Sequence, residues 1–214
     1  MALSGSKTAD KKQPSKRRLE IQIGKLKILD KPNLKLEQYP VSSGVAAELL
    51  YMAGFEHNDL HGRVIDLGTG TGRLAIGASL MGADETVGVD VDQRALAIAK
   101  ENAEKVDARV EWVRSDIEKI NGRFDAVIMN PPYGTRTSHA DTRFLERAFQ
   151  LAPVTFSIHK TATRGYLVQF LTESGWNVDQ VRSMRMDIPH LFEFHEKKRG
   201  MVEVDLYRIT RKGI

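Results

Sequence analysis

The stretch RVIDLGTGTGRLAIGASLM, residues 63–81, reads as a short strand, a glycine-rich turn and a helix. Arg63–Leu67 is the strand: Val64, Ile65 and Leu67 make an apolar run too short for a helix and suited to burial on both faces. The turn is Gly68-Thr-Gly70-Thr-Gly72. Glycine belongs where the backbone turns sharply and must let a ligand approach. The helix that follows, Arg73–Met81, offers its free N–H groups at the same place. The spacing is G-x-G-x-G. A dinucleotide site needs G-x-G-x-x-G, and Arg73 occupies the position of its last glycine. A P-loop needs G-K-[ST], which is absent.

Working outward, the same alternation continues. Thr86–Val89, Arg109–Val113, Phe124–Met129, Val154–Ile158, Trp176–Met186 and Met201–Thr210 read as strands. Helices are expected over Val41–Phe55 (capped by Ser42 or Ser43), Gln93–Lys105, Thr142–Leu151 and Thr161–Ser174. Strands alternating with helices mean parallel βαβ units covered on both faces. The last two strands have no helix between them, which predicts an antiparallel hairpin at one end of the sheet. The fold class is therefore α/β: a mixed seven-stranded sheet with helices on both faces.

The composition narrows the chemistry. The chain has 214 residues, 41% hydrophobic and 28% charged, with no cysteine. That length suits one domain. Zero cysteine removes disulfide scaffolds, thiol nucleophiles and cysteine zinc sites. The histidines show no metal-ligand spacing, so no metal is expected. No apolar run approaches the ~20 residues of a membrane span, and no secretory signal opens the chain. A cytoplasmic protein without a membrane partner is expected.

The net charge of +4 is uneven: residues 1–18 carry six basic side chains against Asp10, leaving the rest slightly acidic. Residues 1–18 are too poor in apolar side chains to offset the entropy of ordering, so they are expected to be a disordered basic tail, with one domain over 19–214. Such an arm either binds nucleic-acid phosphates or serves as a solubilising tail.

Three carboxylates follow three successive strands: Asp66, Asp90 and Asp116. They fall along one carboxyl edge, where open α/β sheets bind ligands. Asp66 through Gly72 resembles the first motif of the class I, Rossmann-like methyltransferases. The resemblance implies S-adenosylmethionine as cofactor. Asp66 would hold the methionine ammonium, Asp90 the ribose hydroxyls and Asp116 the adenine amino group, with Gly68, Gly70, Gly72, Val91 and Ile117 completing the site.

Asn130-Pro131-Pro132-Tyr133 follows the strand FDAVIM. It resembles the (Asn/Asp/Ser)-Pro-Pro-(Tyr/Phe/Trp) box of amino-methyltransferases, whose acceptor nitrogen is conjugated. Such a nitrogen is a poor nucleophile because its lone pair is delocalised. The Asn130 side-chain oxygen and the Pro131 carbonyl can accept its two hydrogens and localise that lone pair. The prolines fix φ and add no competing N–H. Tyr133 offers a face on which a base stacks. Asn130 also borders the cofactor.

Most of residues 34–210 resembles the methyltransferase-like protein 5 family, which forms N6-methyladenosine in small-subunit ribosomal RNA. The carrying segments are LEQYPVSSGVAAELLY, DLGTGTG, MNPPYGTR, SIHKTATR and FEFHEKKRGMVEVDLYRI. The chain departs from the family at Val41, often Thr. The resemblance implies that Gln38 and Tyr39 pack against the methionine end of the cofactor. It also implies RNA as substrate. Basic and aromatic side chains near the edge suit a flipped-out nucleotide: Arg136, His159, Lys160 and Arg164, then Phe194, His195, Lys197, Lys198 and Arg199.

Family relatives in eukaryotes pair the third-strand edge with a small zinc-binding activator, so such a partner is implied, and Trp112 on that strand is either interface or core. The same Asn-Pro-Pro-Tyr box also serves glutamine-N5 methylation of proteins and N6 methylation of DNA adenine. A cofactor-binding ribosome-assembly factor with little turnover is the alternative outside that chemistry. An NAD-dependent oxidoreductase is disfavoured by Arg73.

Overall fold

The computed structural model describes residues 13–33, 36–132, 140–189 and 199–212. The strands are β1 Arg63–Leu67, β2 Glu85–Asp90, β3 Glu111–Arg114, β4 Ala126–Met129, β5 Val154–Lys160, β6 Trp176–Pro189 and β7 Arg199–Arg211. They form one sheet in the order β3-β2-β1-β4-β5-β7-β6. β1 to β5 are parallel. β7 runs antiparallel between β5 and β6, which is the expected terminal hairpin. The chain moves outward from β1 through β2 to β3 and then returns to β4 on the other side of β1. That reversal is a topological switch point, and it opens a crevice beyond the carboxyl ends of the strands. Leu67 lies level with Val89 and Met129, so the residues after β1, β2 and β4 emerge side by side.

Helices are α1 Lys16–Gly24, α2 Ser43–Tyr51, α3 Arg73–Leu80, α4 Gln93–Val106, α5 Ala140–Leu151 and α6 Arg164–Glu173. The period-2 alternation of each strand divides the core. Val64, Ile128, Phe156 and Ile158 pack under α1, α2 and α3. Ile65, Leu67, Val127 and Tyr207 pack under α5 and α6. Ile76 of α3 meets Ala103 of α4, so α4 lies on the α3 face. Trp112 is partly buried and packs against the core: its ring lies so close over β2 that a Cβ at Gly88 would fall 2.5 Å from it.

Most elements differ from expectation by a few residues at their ends, and two of these differences matter for the site. α1 begins at Lys16, inside the stretch expected to be without structure. Ser15 caps it, accepting from the Arg18 N–H at 3.4 Å, and Leu19 and Ile23 are fully buried one turn apart. Lys16 also pairs with Glu48 of α2 at 2.8 Å. The structured part therefore starts before residue 19. β5, in turn, runs on to Lys160, which carries His159 into the sheet.

Candidate active site

The carboxyl ends of β1, β2 and β4 border a cavity of about 330 Å³, within the ~300–1,000 Å³ typical of cofactor pockets. The glycine loop lies along it. Gly68, Gly70 and Gly72 have φ of +70°, +55° and +85°, a region that side chains with a Cβ rarely enter. A Cβ at Gly68 would also sit 3.0 Å from the Phe144 ring, whereas nothing lies within 4 Å above Gly70. The loop thus leaves open space where a ligand can meet its backbone.

Asp66, the last residue but one of β1, is almost fully buried. Its Oδ2 accepts from the Thr69 hydroxyl at 2.6 Å and the Ala75 N–H at 3.0 Å. Its Oδ1 is buried with no hydrogen-bond partner among the described residues. Burial pushes the carboxyl up to about 7, and the charge of Asp90 adds to the rise.

Asp90 ends β2. One oxygen accepts from the Gly70 N–H at 2.8 Å and the other from the Asp92 N–H at 2.9 Å. Burial raises it as well, against those hydrogen bonds. Each carboxylate oxygen carries two lone pairs, so a side chain fixed this way can still receive two hydroxyls. Asp116 follows β3. The Glu118 N–H at 3.0 Å and the Arg143 guanidinium at 2.8 Å hold it below the usual carboxylate range, despite some burial.

Gln38 and Tyr39 reach the cavity from the segment before α2. The Gln38 amide accepts from the Asn33 N–H at 2.8 Å and donates to Asp92 at 3.1 Å. It works as a strut that ties this segment to the end of β2. Arg94 chiefly, with help from Gln38, holds Asp92 down to about 2. The Tyr39 carbonyl accepts from the Asn130 amide nitrogen at 3.2 Å. Asn130 and Pro132 line the cavity just beyond β4, and Pro131 is buried beside them. Val91 and Ile117 line it as well. The crevice therefore gathers the expected cofactor side chains, Gly68 and Gly70 of the loop, and Asn130 and Pro132 of the Asn-Pro-Pro-Tyr box, whereas Gly72 turns toward Trp112 and Ala99.

The expected RNA-contacting set divides. Tyr133, Arg136, Phe194, His195, Lys197 and Lys198 lie outside the described residues, and Arg199 opens β7. His159 is corrected: it is 1% exposed, with its Nε2 2.7 Å from the Ser157 hydroxyl. Burial pushes its imidazole down to about 3, so it is neutral in the core and contacts no RNA. Strand alternation explains this, because the side chain points to the Tyr207 side of the sheet, where that ring meets it edge-on.

Arg164 is tied into the fold, although its side chain stays 44% exposed. It forms two bonds to the buried Asp205, at 2.7 and 2.6 Å, and a third to Ser183 at 2.8 Å. Its guanidinium staples α6 to the terminal hairpin. Lys160 ends β5, half-buried. Among the described residues no group of three or more His, Asp or Glu side chains could hold a metal.

Sequence reading did not single out several cavity-lining side chains. Arg143 and Phe144 arrive from α5, and Leu29 and Glu37 from the N-terminal segment. Glu37 takes φ of +48°, unusual for a side chain with a Cβ. Arg73 also lines the cavity. Its contacts are the carbonyls of Val41 at 2.7 Å and Leu26 at 3.3 Å.

These residues fit S-adenosylmethionine. Asp66 offers a buried acceptor for a cation, Asp90 an anchored carboxylate for a diol, and Val91, Ile117 and Phe144 apolar surface for a purine. The comparisons agree with this fit. The family model "Methyltransferase small domain" matches residues 45–155. The Drosophila melanogaster rRNA N(6)-adenosine-methyltransferase Mettl5 is 35% identical over 90% of this chain and 94% of its own. Its Danio rerio counterpart METTL5 is 34% identical over 85% and 91%. The crystal structure of PH1948 from Pyrococcus horikoshii, solved as a candidate RNA methyltransferase, superposes with a TM-score of 0.85 at 38% identity, covering 92% of this chain and 98% of that one. The chain belongs to the methyltransferase small domain family and, within it, to the methyltransferase-like protein 5 family.

Proposed function

We propose that the protein transfers a methyl group from S-adenosylmethionine to N6 of an adenosine in RNA, and that this RNA is the small-subunit ribosomal RNA. The observation that carries the reading is Asn130 at the cavity wall, with its amide nitrogen donating to the Tyr39 carbonyl. Anchoring the nitrogen end assigns acceptor chemistry to the Asn130 oxygen. That oxygen and the Pro131 carbonyl receive the two hydrogens of the N6 amino group and draw its lone pair out of the purine ring. S-adenosylmethionine supplies a methyl group already activated by a sulfonium leaving group. The protein's work is therefore positioning and local electrostatics. Asp116 and Asp90 fix the adenosine part of the cofactor, Asp66 its methionine end, and the proton lost from N6 passes to water. The names of the relatives support RNA adenosine as the acceptor.

β3 lies at the sheet edge with one side unpaired by any described strand. Such an edge accepts a strand from a second protein, and we assign that role to a small activator.

The test is labelled methyl transfer to purified small- and large-subunit ribosomal RNA, to assembling small subunits and to release factor. Label in N6-methyladenosine of small-subunit RNA is the expected result. Label confined to large-subunit RNA overturns the choice of RNA, and label in protein glutamine overturns the acceptor class.

A further inference from the structure

Arg73 is placed where an arginine is costly. It opens α3, and a cation opposes the positive end of a helix dipole. It is largely buried, and burial pushes the guanidinium down from its ordinary value. Several other arginines meet carboxylates: Arg94 meets Asp92, Arg143 meets Asp116, Arg164 meets Asp205 and Arg208 meets Asp59. Arg73 has no carboxylate among the described residues. It touches two backbone carbonyls, and its Nε is buried with no partner. A buried charge without a counter-ion is among the most expensive features of a folded chain. This one forms part of the wall of a ligand cavity.

The order of the acids says which part of the ligand comes here. With the adenine at Asp116 beyond β3 and the ribose at Asp90 beyond β2, the ligand runs across the sheet edge toward β1. Its amino-acid tail then lies over Asp66, the glycine loop and the start of α3. That tail carries one cationic and one anionic group. Asp66, with its unpartnered oxygen, is complementary to the ammonium. The anion needs a cation, and the wall offers Arg73 between Leu74 and the Val41 carbonyl.

We propose that Arg73 binds the α-carboxylate of the cofactor's methionine tail. The site then selects S-adenosylmethionine over ligands that lack this carboxylate. The inference rests on the cofactor orientation above and goes beyond it, because it assigns the counter-ion and the selectivity it creates.

The test is calorimetric binding to the full chain, with no turnover involved. Three probes are compared: S-adenosylmethionine, its decarboxylated form, and 5′-methylthioadenosine, which lacks the amino-acid tail. Wild type is expected to bind S-adenosylmethionine roughly 10–100-fold more tightly than the decarboxylated form, the worth of a charge-assisted hydrogen bond. Arg73→Gln, which keeps a donor for the Val41 carbonyl, is expected to lose most of that preference and to bind 5′-methylthioadenosine as wild type does. Arg73→Lys is expected to recover part of the preference.

Equal wild-type affinity for the first two probes overturns the proposal without any variant. If Arg73→Gln weakens all three probes alike, Arg73 is a staple for the segment from Leu26 to Val41, and the proposal fails. If wild type binds none of the three, the cofactor assignment itself falls and takes this inference with it.

Discussion

Asp66 shows how one residue couples the site to pH. Its carboxyl is raised to about 7 by burial and by the charge of Asp90, against about 3.9 in an unfolded chain. The folded state therefore binds more protons than the unfolded state between those values. This contribution to stability is fully present below about pH 4 and is lost as pH rises toward 7. A cation set against Oδ1 favours the ionised form, so cofactor binding releases a proton where Asp66 would otherwise be neutral. Cofactor affinity is expected to rise with pH from 5.5 to 7 by up to about tenfold per unit, and Asp66→Asn to remove the slope. Calorimetry at pH 6 in two buffers of different ionisation heat counts the proton directly. A slope that persists in Asp66→Asn removes Asp66 from contact with the cofactor's cation.

At the scale of elements, α1 is a packing helix. Leu19 and Ile23 are fully buried in the cluster under α2 and α3. Leu19→Ala is expected to destabilise the fold by about 2–5 kcal/mol, read from the urea midpoint. A loss below about 1 kcal/mol would mean that α1 docks loosely. α1 was not legible in the sequence because Lys16, Arg17 and Arg18 make its first turn look like the end of a basic tail. The Ser15 cap and the one-turn spacing of Leu19 and Ile23 were the available signals. The βαβ elements were legible because apolar runs and loop glycines announce each one, and β1 falls on the expected residues. Asp66, Asp90, Asp116 and Asn130 were legible for the same reason: each stands at the end of a strand, and the topology brings those ends together. His159 was misread because the strand was expected to end at Ile158, whereas β5 continues to Lys160 and turns His159 into the core. Arg143 and Phe144 were missed because only tertiary packing brings α5 over the glycine loop.

The whole molecule has a polarity of charge. Residues 1–12 hold Lys7, Lys11 and Lys12 against Asp10, while residues beyond 18 are slightly acidic in sum. If the arm meets RNA phosphates, deleting 1–12 flattens the log–log salt dependence of RNA binding by about 2, at ~0.7 per neutralised phosphate on a single strand. That truncation leaves α1 and its Ser15 cap intact, so the thermal midpoint is expected to stay put. An unchanged salt slope makes the arm a bystander.

The most direct test of the account joins the cofactor cavity to the Asn130 box. Wild type and Asn130→Ala are compared by cofactor calorimetry and by single-turnover methyl transfer to small-subunit RNA, with the product digested to nucleosides. The account predicts cofactor affinity within a few-fold of wild type, N6-methyladenosine as the product from wild type, and a transfer rate at least ~10²–10³-fold lower in the variant. Undiminished transfer by Asn130→Ala, or a methylated nucleoside other than N6-methyladenosine, would contradict it.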